Sequence, residues 1–511
     1  YGITLYYEST GLVRVTNSEV FGNSYTAFYL EGTNNAFFNN NTAYSNGENG
    51  IFVYLGSSGN TFNNTVIYNN TKGVYVWSGT NVTNNNLFNL NRIYNNSEYG
   101  FYIRNVTYTN LTFNTVYNNT LSGFLIENSN YTVLSNNTAY NNSQDGIKLS
   151  TSNSTVLSGN HVTENKQNGI RLSASSYPNI SNNNASYNTL NGFLFTSATT
   201  YLNVLSNYAE NNVIGFSGSD PSYSTFALNI AHNNTESGFF TNSAHDSSFI
   251  SNNATFNGKN GFETRADVNS YVNNLAYNNA LSGFNLSNAD SNIFTGNNAT
   301  NNLNGFYLKT SNGNNISGSF VNNSLVTGIS LVSSNSSNIT NNYLSSNGLY
   351  AISLNDSQYN YLFNNTAISN SYGFVVEAFS NYNQLVSNNA TNNMLSGFYV
   401  TDSSNDILTS NYAGNNLENG YLLSSNYTNL SSNVAHNNTL EGFYFEDSFY
   451  VLLSDNTARY NVDGGFNLFS GLYFTLTNNT AFENYAQGFI LYTNESIVNN
   501  NNATSNLLKG F

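Results

Sequence analysis

Cysteine is absent from the 511 residues, so no disulfide staples the chain and small oxidised modules are excluded, while the compartment stays open. Charge is scarce too. Only 8% of residues are Asp, Glu, Lys or Arg, against about 25% in ordinary soluble domains. The 12 Lys and Arg are scattered singly and the net charge is −15, which opposes phosphate backbones and speaks against nucleic-acid binding. No apolar run is long enough for a transmembrane helix. No charged-then-apolar leader opens the chain, so a signal segment is expected to have been removed or to lie outside it. Asn, Ser, Thr and Tyr supply the polar surface instead, and such groups stay solvated when carboxylates protonate, which suits an acidic exterior.

What the chain has in place of these is a period. Twenty-one glycines are each followed by Phe, Ile, Val or Tyr, and from Gly100-Phe101 the marker returns every 23 residues through Gly261-Phe262. Ala27-Phe28 and Ala351-Ile352 fill the two slots without Gly, giving 23 markers from Gly2-Ile3 to Gly510-Phe511. Steps run from 22 to 24 residues, except 25 at the start and 27 between Gly73 and Gly100. A fixed period of this size marks a solenoid, whose repeats cannot bury their apolar faces alone.

Within a repeat, apolar residues follow Gly123 at +1 and +3 (Phe124, Ile126), then at +11 (Leu134) and +16 (Ala139). Alternation over so short a run marks a strand with one face buried, so each repeat reads as three short strands and three turns. Ser129, Asn137 and Asn142 fall between them and read as turn residues, since Asn and Ser bond local backbone and Asn tolerates positive φ. Stacked on Asn160 and Asn183, Asn137 can pass amide hydrogen bonds along the array. Ala139, Ala185 and Ala231 form a second column, small enough for a tight corner. With ~4.8 Å between strands, 22 turns would extend on the order of 105 Å, and parallel crossovers favour a right-handed coil. The fold class expected is all-β, one right-handed parallel β-helix over residues 1–511 with no second domain. No capping repeat shows at Gly2 or Gly510, so the 511 residues are expected to be a window of a longer polypeptide or to stack head to tail.

The repeat from Gly283 to Asn302, with Gly-Phe, Leu at +3, Asn at +9, Asn-Asn at +14 and +15, Ala at +16 and a closing Asn-Asn, resembles the right-handed parallel β-helix repeat of pectate lyases, polygalacturonases, viral tailspikes and archaeal surface proteins. The resemblance covers the whole chain and implies the fold. The matched slots are structural, so it implies no one activity.

For an active site, the fold's enzymes cluster carboxylates on adjacent turns. Asp246, Asp267 and Asp290 sit after the first strand of three consecutive turns, with His245 and Arg265 beside them, a spacing suited to acid and base work on a glycosidic bond. Glu127, Asp220, Asp356, Asp402, Glu446 and Asp447 occupy similar turns and read as ordinary solvated acids. His161, His232, His245 and His436 are dispersed, and neither metal nor cofactor is expected. Tyr102, Tyr307, Tyr399 and Tyr444 point outward at +2, where they can stack on sugars or on another solenoid. About thirty Asn-x-Ser/Thr sequons occur, among them Asn40, Asn63, Asn95, Asn118, Asn141, Asn184, Asn233, Asn298, Asn364, Asn437 and Asn478. The function expected from sequence is an extracellular structural solenoid of a surface layer, stalk or filament. It would carry N-glycans and associate with itself, laterally or end to end, or with other surface proteins. A carbohydrate-binding or carbohydrate-cleaving β-helix, with a polysaccharide ligand, is the alternative.

Overall fold

The computed structural model describes residues 1–7 and 12–508. The marker Gly510-Phe511 lies outside them. The chain is an all-β parallel solenoid of about 22 turns with three sheets. Its contacts divide it into two units, Tyr1–Gly258 and Lys259–Phe511, built by one rule.

In the first unit the strands Phe124–Glu127, Val133–Ser135 and Thr138–Tyr140 pair in parallel with Ile147–Ser150, Val156–Ser158 and His161–Thr163 of the next turn. In the second, Asn304–Lys309, Asn315–Ser317 and Phe320–Asn322 pair in the same way with Thr327–Val332, Asn338–Thr340 and Tyr343–Ser345. The strands that follow the glycine marker form the first sheet, and the other two follow in chain order. Two turns of the second unit add a fourth short strand, Ser448–Phe449 paired with Gly471–Leu472.

The glycine marker has a steric cause. A Cβ on Gly123 would lie 2.8 Å from the carbonyl oxygen of Gly146 and 2.9 Å from Nδ2 of Asn142. The chain turns into the first sheet so close to the next turn that a side chain has no room. Beyond it, Phe101 and Phe124 stack at 5.0 Å and 5°. In the second unit a six-ring pile runs from Phe374 through Phe398, Tyr421, Phe443 and Phe466 to Phe489.

Two slots read as turn residues point inward. Ser129 and Asn142 are fully buried, like Asn137. The left-handed conformation belongs to the residue just before each of them, Asn128 (φ 49°), Asn136 (φ 53°) and Asn141 (φ 53°). That flip costs most residues roughly 1–2 kcal/mol and Asn less, and it turns the following side chain into the corner. There Asn137 donates through Nδ2 to Asn160 Oδ1 (3.0 Å) and to the Leu111 carbonyl (2.8 Å), while its N–H reaches the same Asn160 oxygen. Asn142 bonds Asn165 likewise, and Ser129 N–H donates to Ser152 Oγ. Asn365, Asn393 and Ser334 repeat the arrangement in the second unit. Three buried polar columns thus satisfy the corner backbone groups that no sheet ladder reaches.

Candidate functional site

The acids singled out by sequence fall in both units. Asp246 belongs to the first unit, where it is exposed and 3.1 Å from His245 Nδ1. Asp267 and Asp290 lie on neighbouring turns of the second unit, but Asp267 Oδ1 accepts the Asp290 N–H at 2.6 Å and Asp290 Oδ1 accepts the Asn312 N–H at 2.6 Å. Asn312 and Asn335 continue the row onto Asn335 and Gln358. An Asn serves in this row as well as an Asp, so the acids here cap backbone. Arg265 is 3.1 Å from Glu263.

The outward face of the first sheet near the start of the first unit is different. Tyr29, Phe52, Tyr75 and Tyr102 occupy one outward column on four successive turns. Phe52 and Tyr75 stack at 4.8 Å and 12°, Tyr75 and Tyr102 at 5.0 Å and 20°. Parallel rings in contact are about 3.5 Å apart, so a 4.8 Å separation means a slip of roughly 3 Å that leaves part of each ring uncovered. Tyr54 and Trp77 form a second stacked pair beside them at 5.0 Å. All but Tyr29 are half-buried.

Polar groups rim this strip. Lys72 Nζ pairs with Glu98 at 2.8 Å, Arg104 Nε lies 3.3 Å from Glu127, and Tyr102 donates its hydroxyl to Glu127 at 2.5 Å. Burial, then the bond to Glu127, holds the Tyr102 phenol protonated well above its usual range. A groove of about 360 Å³ between Glu48, Asn49, Phe52, Lys72, Tyr75 and Trp77 opens along the rim. The long 27-residue step follows directly: Ser78 donates to the Asn81 carbonyl, and a Cβ on Gly79 (φ 60°) would lie 2.8 Å from the Tyr54 ring. The extra residues therefore rest on the strip's aromatic edge.

Tyr102 was legible as an outward aromatic. Its companions Tyr29, Phe52, Tyr75 and Trp77 were not singled out, although an aromatic in the same slot of four consecutive repeats, with the longest step between the third and the fourth, was signal enough. Tyr307, Tyr399 and Tyr444 lie on turns of the second unit, where Tyr399 stacks on Tyr372 at 5.5 Å and Tyr444 on Phe469 at 6.3 Å. The sequon residues fall into two groups. Asn40, Asn95, Asn118, Asn141, Asn233, Asn364, Asn437 and Asn478 are exposed at left-handed corners, whereas Asn63, Asn184 and Asn298 are half-buried within strands.

One acid is out of character. Asp406 is buried in a column that also holds Asn292, Asn314, Ser337, Asn360 and Asn383, where its Oδ1 accepts the Asn383 N–H and its Oδ2 the Ser403 hydroxyl. Burial pushes its carboxyl up to about 7, against the lowering effect of those bonds.

The right handed beta helix region family matches residues 1–88, 87–217 and 371–506. The chain belongs to that family, and the coil is right-handed. A second family, periplasmic copper-binding protein (NosD), matches residues 228–396 and 304–430. The residues present do not fit copper. Cysteine is absent and the single Met is Met394; His232 Nδ1 is bonded to Thr255 Oγ1, and no three His, Cys, Asp or Glu among the described residues gather into a ligand set. No curated protein matches the sequence.

Among solved structures, a double mutant of the periplasmic alginate epimerase AlgG is 13% identical over 74% of this chain and 77% of its own, with a TM-score of 0.36. Pectate lyase Pel9A is 16% identical over 51% and 71%, with a TM-score of 0.35. Tailspike protein 2 of Escherichia coli O157:H7 bacteriophage CAB120 is 12% identical over 59% and 38%, with a TM-score of 0.31. The activities named for those proteins are their own. No helix among the described residues is long and apolar enough to cross a membrane.

Proposed function

We propose that this β-helix works outside the cytoplasm as a carbohydrate-binding protein, and that the strip from Tyr29 to Tyr102 with Trp77 receives a saccharide chain. The observation that carries this reading is the unbroken aromatic column beside a groove and a rim of paired charges. Partly uncovered rings meet the apolar C–H faces of sugar rings, and the rim meets hydroxyls. Binding fits this chemistry better than cleavage. Glu98 is engaged by Lys72, and Glu31 and Glu127 accept hydrogen bonds from the Tyr29 and Tyr102 hydroxyls, so these three do not stand free, and Glu48 in the groove does not by itself make the pair of carboxyls that glycoside cleavage uses. Titrating the full chain with a panel of soluble polysaccharides tests the reading. A ligand that binds the parent and is lost on Trp77→Ala and Tyr75→Ala supports it, while unchanged binding in both variants removes the strip from consideration.

A structural role is the second reading. Tyr427, Tyr450 and Tyr473 are exposed, stacked at 4.9 and 4.6 Å, and held at left-handed corners. Such a column can pack against another copy, and concentration-dependent sedimentation that weakens on Tyr450→Ser would favour it.

A further inference from the structure

In the second unit, a set of departures from the repeat meets at one place. The turn that opens at Gly373 carries two consecutive left-handed residues, Ala378 (φ 50°) and Phe379 (φ 63°), which swing the Phe379 ring out to 71% exposure. On the next turn the strand pairing slips between Thr401 and Ser403, so Asp402, whose φ of 47° is the ordinary value for this corner, has no partner on the turn that follows. Such bulges cluster beside functional sites because they re-aim a side chain. Beneath the bulge lies Asp406, the carboxyl in an amide column, bonded to Ser403. Packing alone does not call for any of these, since neighbouring turns manage without them. Where a repeat protein breaks its own rule on one face, that face is the usual place for a ligand.

The departures enclose a groove of about 480 Å³, lined by Phe379, Asn381, Asp402, Ser403, Asn426 and Asp447 among others, a size that suits small ligands. Its chemistry is specific. Asn381 Oδ1 accepts from Ser404, and Asn426 Oδ1 accepts the Phe449 N–H, so both side chains turn their NH2 groups outward as donors. Asp402 and Asp447 supply acceptors, Asp447 being anchored by the Ser470 hydroxyl. Donors and acceptors side by side match hydroxyl groups, which do both, and the Phe379 ring matches a C–H face. No Lys or Arg lines the groove, so a uronate, sulfate or phosphate would meet two carboxylates without a counter-charge.

We infer that this groove is a binding site for an uncharged oligosaccharide, separate from the aromatic strip of the first unit and selective against polyuronates. It does not depend on the strip, and the test keeps the two apart. Neutral hexasaccharides of glucose, mannose, xylose and N-acetylglucosamine, and a hexagalacturonate, are titrated into the full chain by calorimetry and followed by saturation-transfer NMR. The parent, Phe379→Ala, Asp402→Asn and Trp77→Ala are compared, all three residues being exposed or half-exposed so that the melting temperature stays near the parent's. The expected result is that at least one neutral hexasaccharide binds, that Phe379→Ala weakens it about tenfold, that Trp77→Ala leaves this site's signal, and that hexagalacturonate binds at least tenfold more weakly. Asp402→Asn is expected to narrow that gap between neutral and acidic sugar. The inference is overturned if no neutral sugar binds, if Phe379→Ala leaves affinity unchanged, or if hexagalacturonate binds as tightly as the neutral chains. Loss on Trp77→Ala alone would leave the strip standing and remove the groove.

Discussion

The first sheet shows nearly the same inward face on two stretches of chain and two unlike outward faces. In the first unit the inward residues Phe28, Ile51, Val74 and Phe101 alternate with outward Tyr29, Phe52, Tyr75 and Tyr102. In the second unit inward Phe284, Phe306, Ile329 and Ile352 alternate with outward Asn285, Tyr307, Ser330 and Ser353. All eight inward side chains are fully buried. The interior is set by what each turn must offer its neighbours, so it cannot drift, whereas an exposed outward side chain changes stability by only about 0.5 kcal/mol. The aromatic run thus sits on one outward face and not on the other, and the proposed saccharide site rests on that contrast.

The comparison predicts that interior changes hurt both units alike. Asn160→Leu in the first and Asn388→Leu in the second each strand a donor pair on the preceding Asn and a buried carbonyl, of Leu134 or Leu362. At about 1–3 kcal/mol per unsatisfied group, each should cost on the order of 3–6 kcal/mol. Urea unfolding read by hydrogen exchange on flanking turns checks this, and a mild effect in either unit would break the equivalence of the two interiors.

A smaller effect, confined to one turn, is expected at Asp406. Its carboxyl is raised from 3.8 to about 7 by burial, so the folded chain holds a proton that the unfolded chain releases. Its contribution is fully favourable below about pH 4, is lost as pH rises to about 7, and stays lost above, a difference on the order of 4 kcal/mol. Asp406→Asn restores the amide of the column and should stabilise the second unit most above pH 7 and hardly at all below pH 4. Paired melting curves at pH 3.5 and 8 decide it; a gain equal at both pH values would contradict the buried-acid account.

Trp77→Ala should weaken saccharide binding by roughly 1 kcal/mol, about fivefold, with little change in melting temperature. The matched control, Tyr307→Ala on the second unit's outward face, should do nothing to that ligand. Equal losses from both would erase the functional contrast between the faces. The mildest prediction concerns mass alone. In a glycosylating host, Asn141 at its exposed corner should carry glycan and Asn298, half-buried in the strand Asn298–Thr300 with Oδ1 bonded to Thr300, should stay bare. Peptide mass spectrometry checks both sites, and modification of Asn298 at equal occupancy would show that strand burial does not protect it.

The spacing of Gly-Phe markers and the +1, +3, +11 and +16 apolar slots determined three strands per turn, the parallel stack and the inward Phe column, because a repeat that buries its core only against its neighbours must place the same residue types at the same offsets. Tertiary structure alone decided that Ser129 and Asn142, which read as turn residues, point inward as Asn137 does: Asn128 and Asn141 flip to positive φ and the next side chain enters the corner. It also decided how the acids are held. Asp267 and Asp290, two of the three acids grouped from sequence, cap backbone N–H groups, while Asp402 and Asp447, which looked like ordinary turn acids, line one groove beside a one-residue slip of the strand pairing. Period is a local property repeated, and a sequence records it. A groove comes from where the period fails, and its residues meet only through the stacking of separate turns.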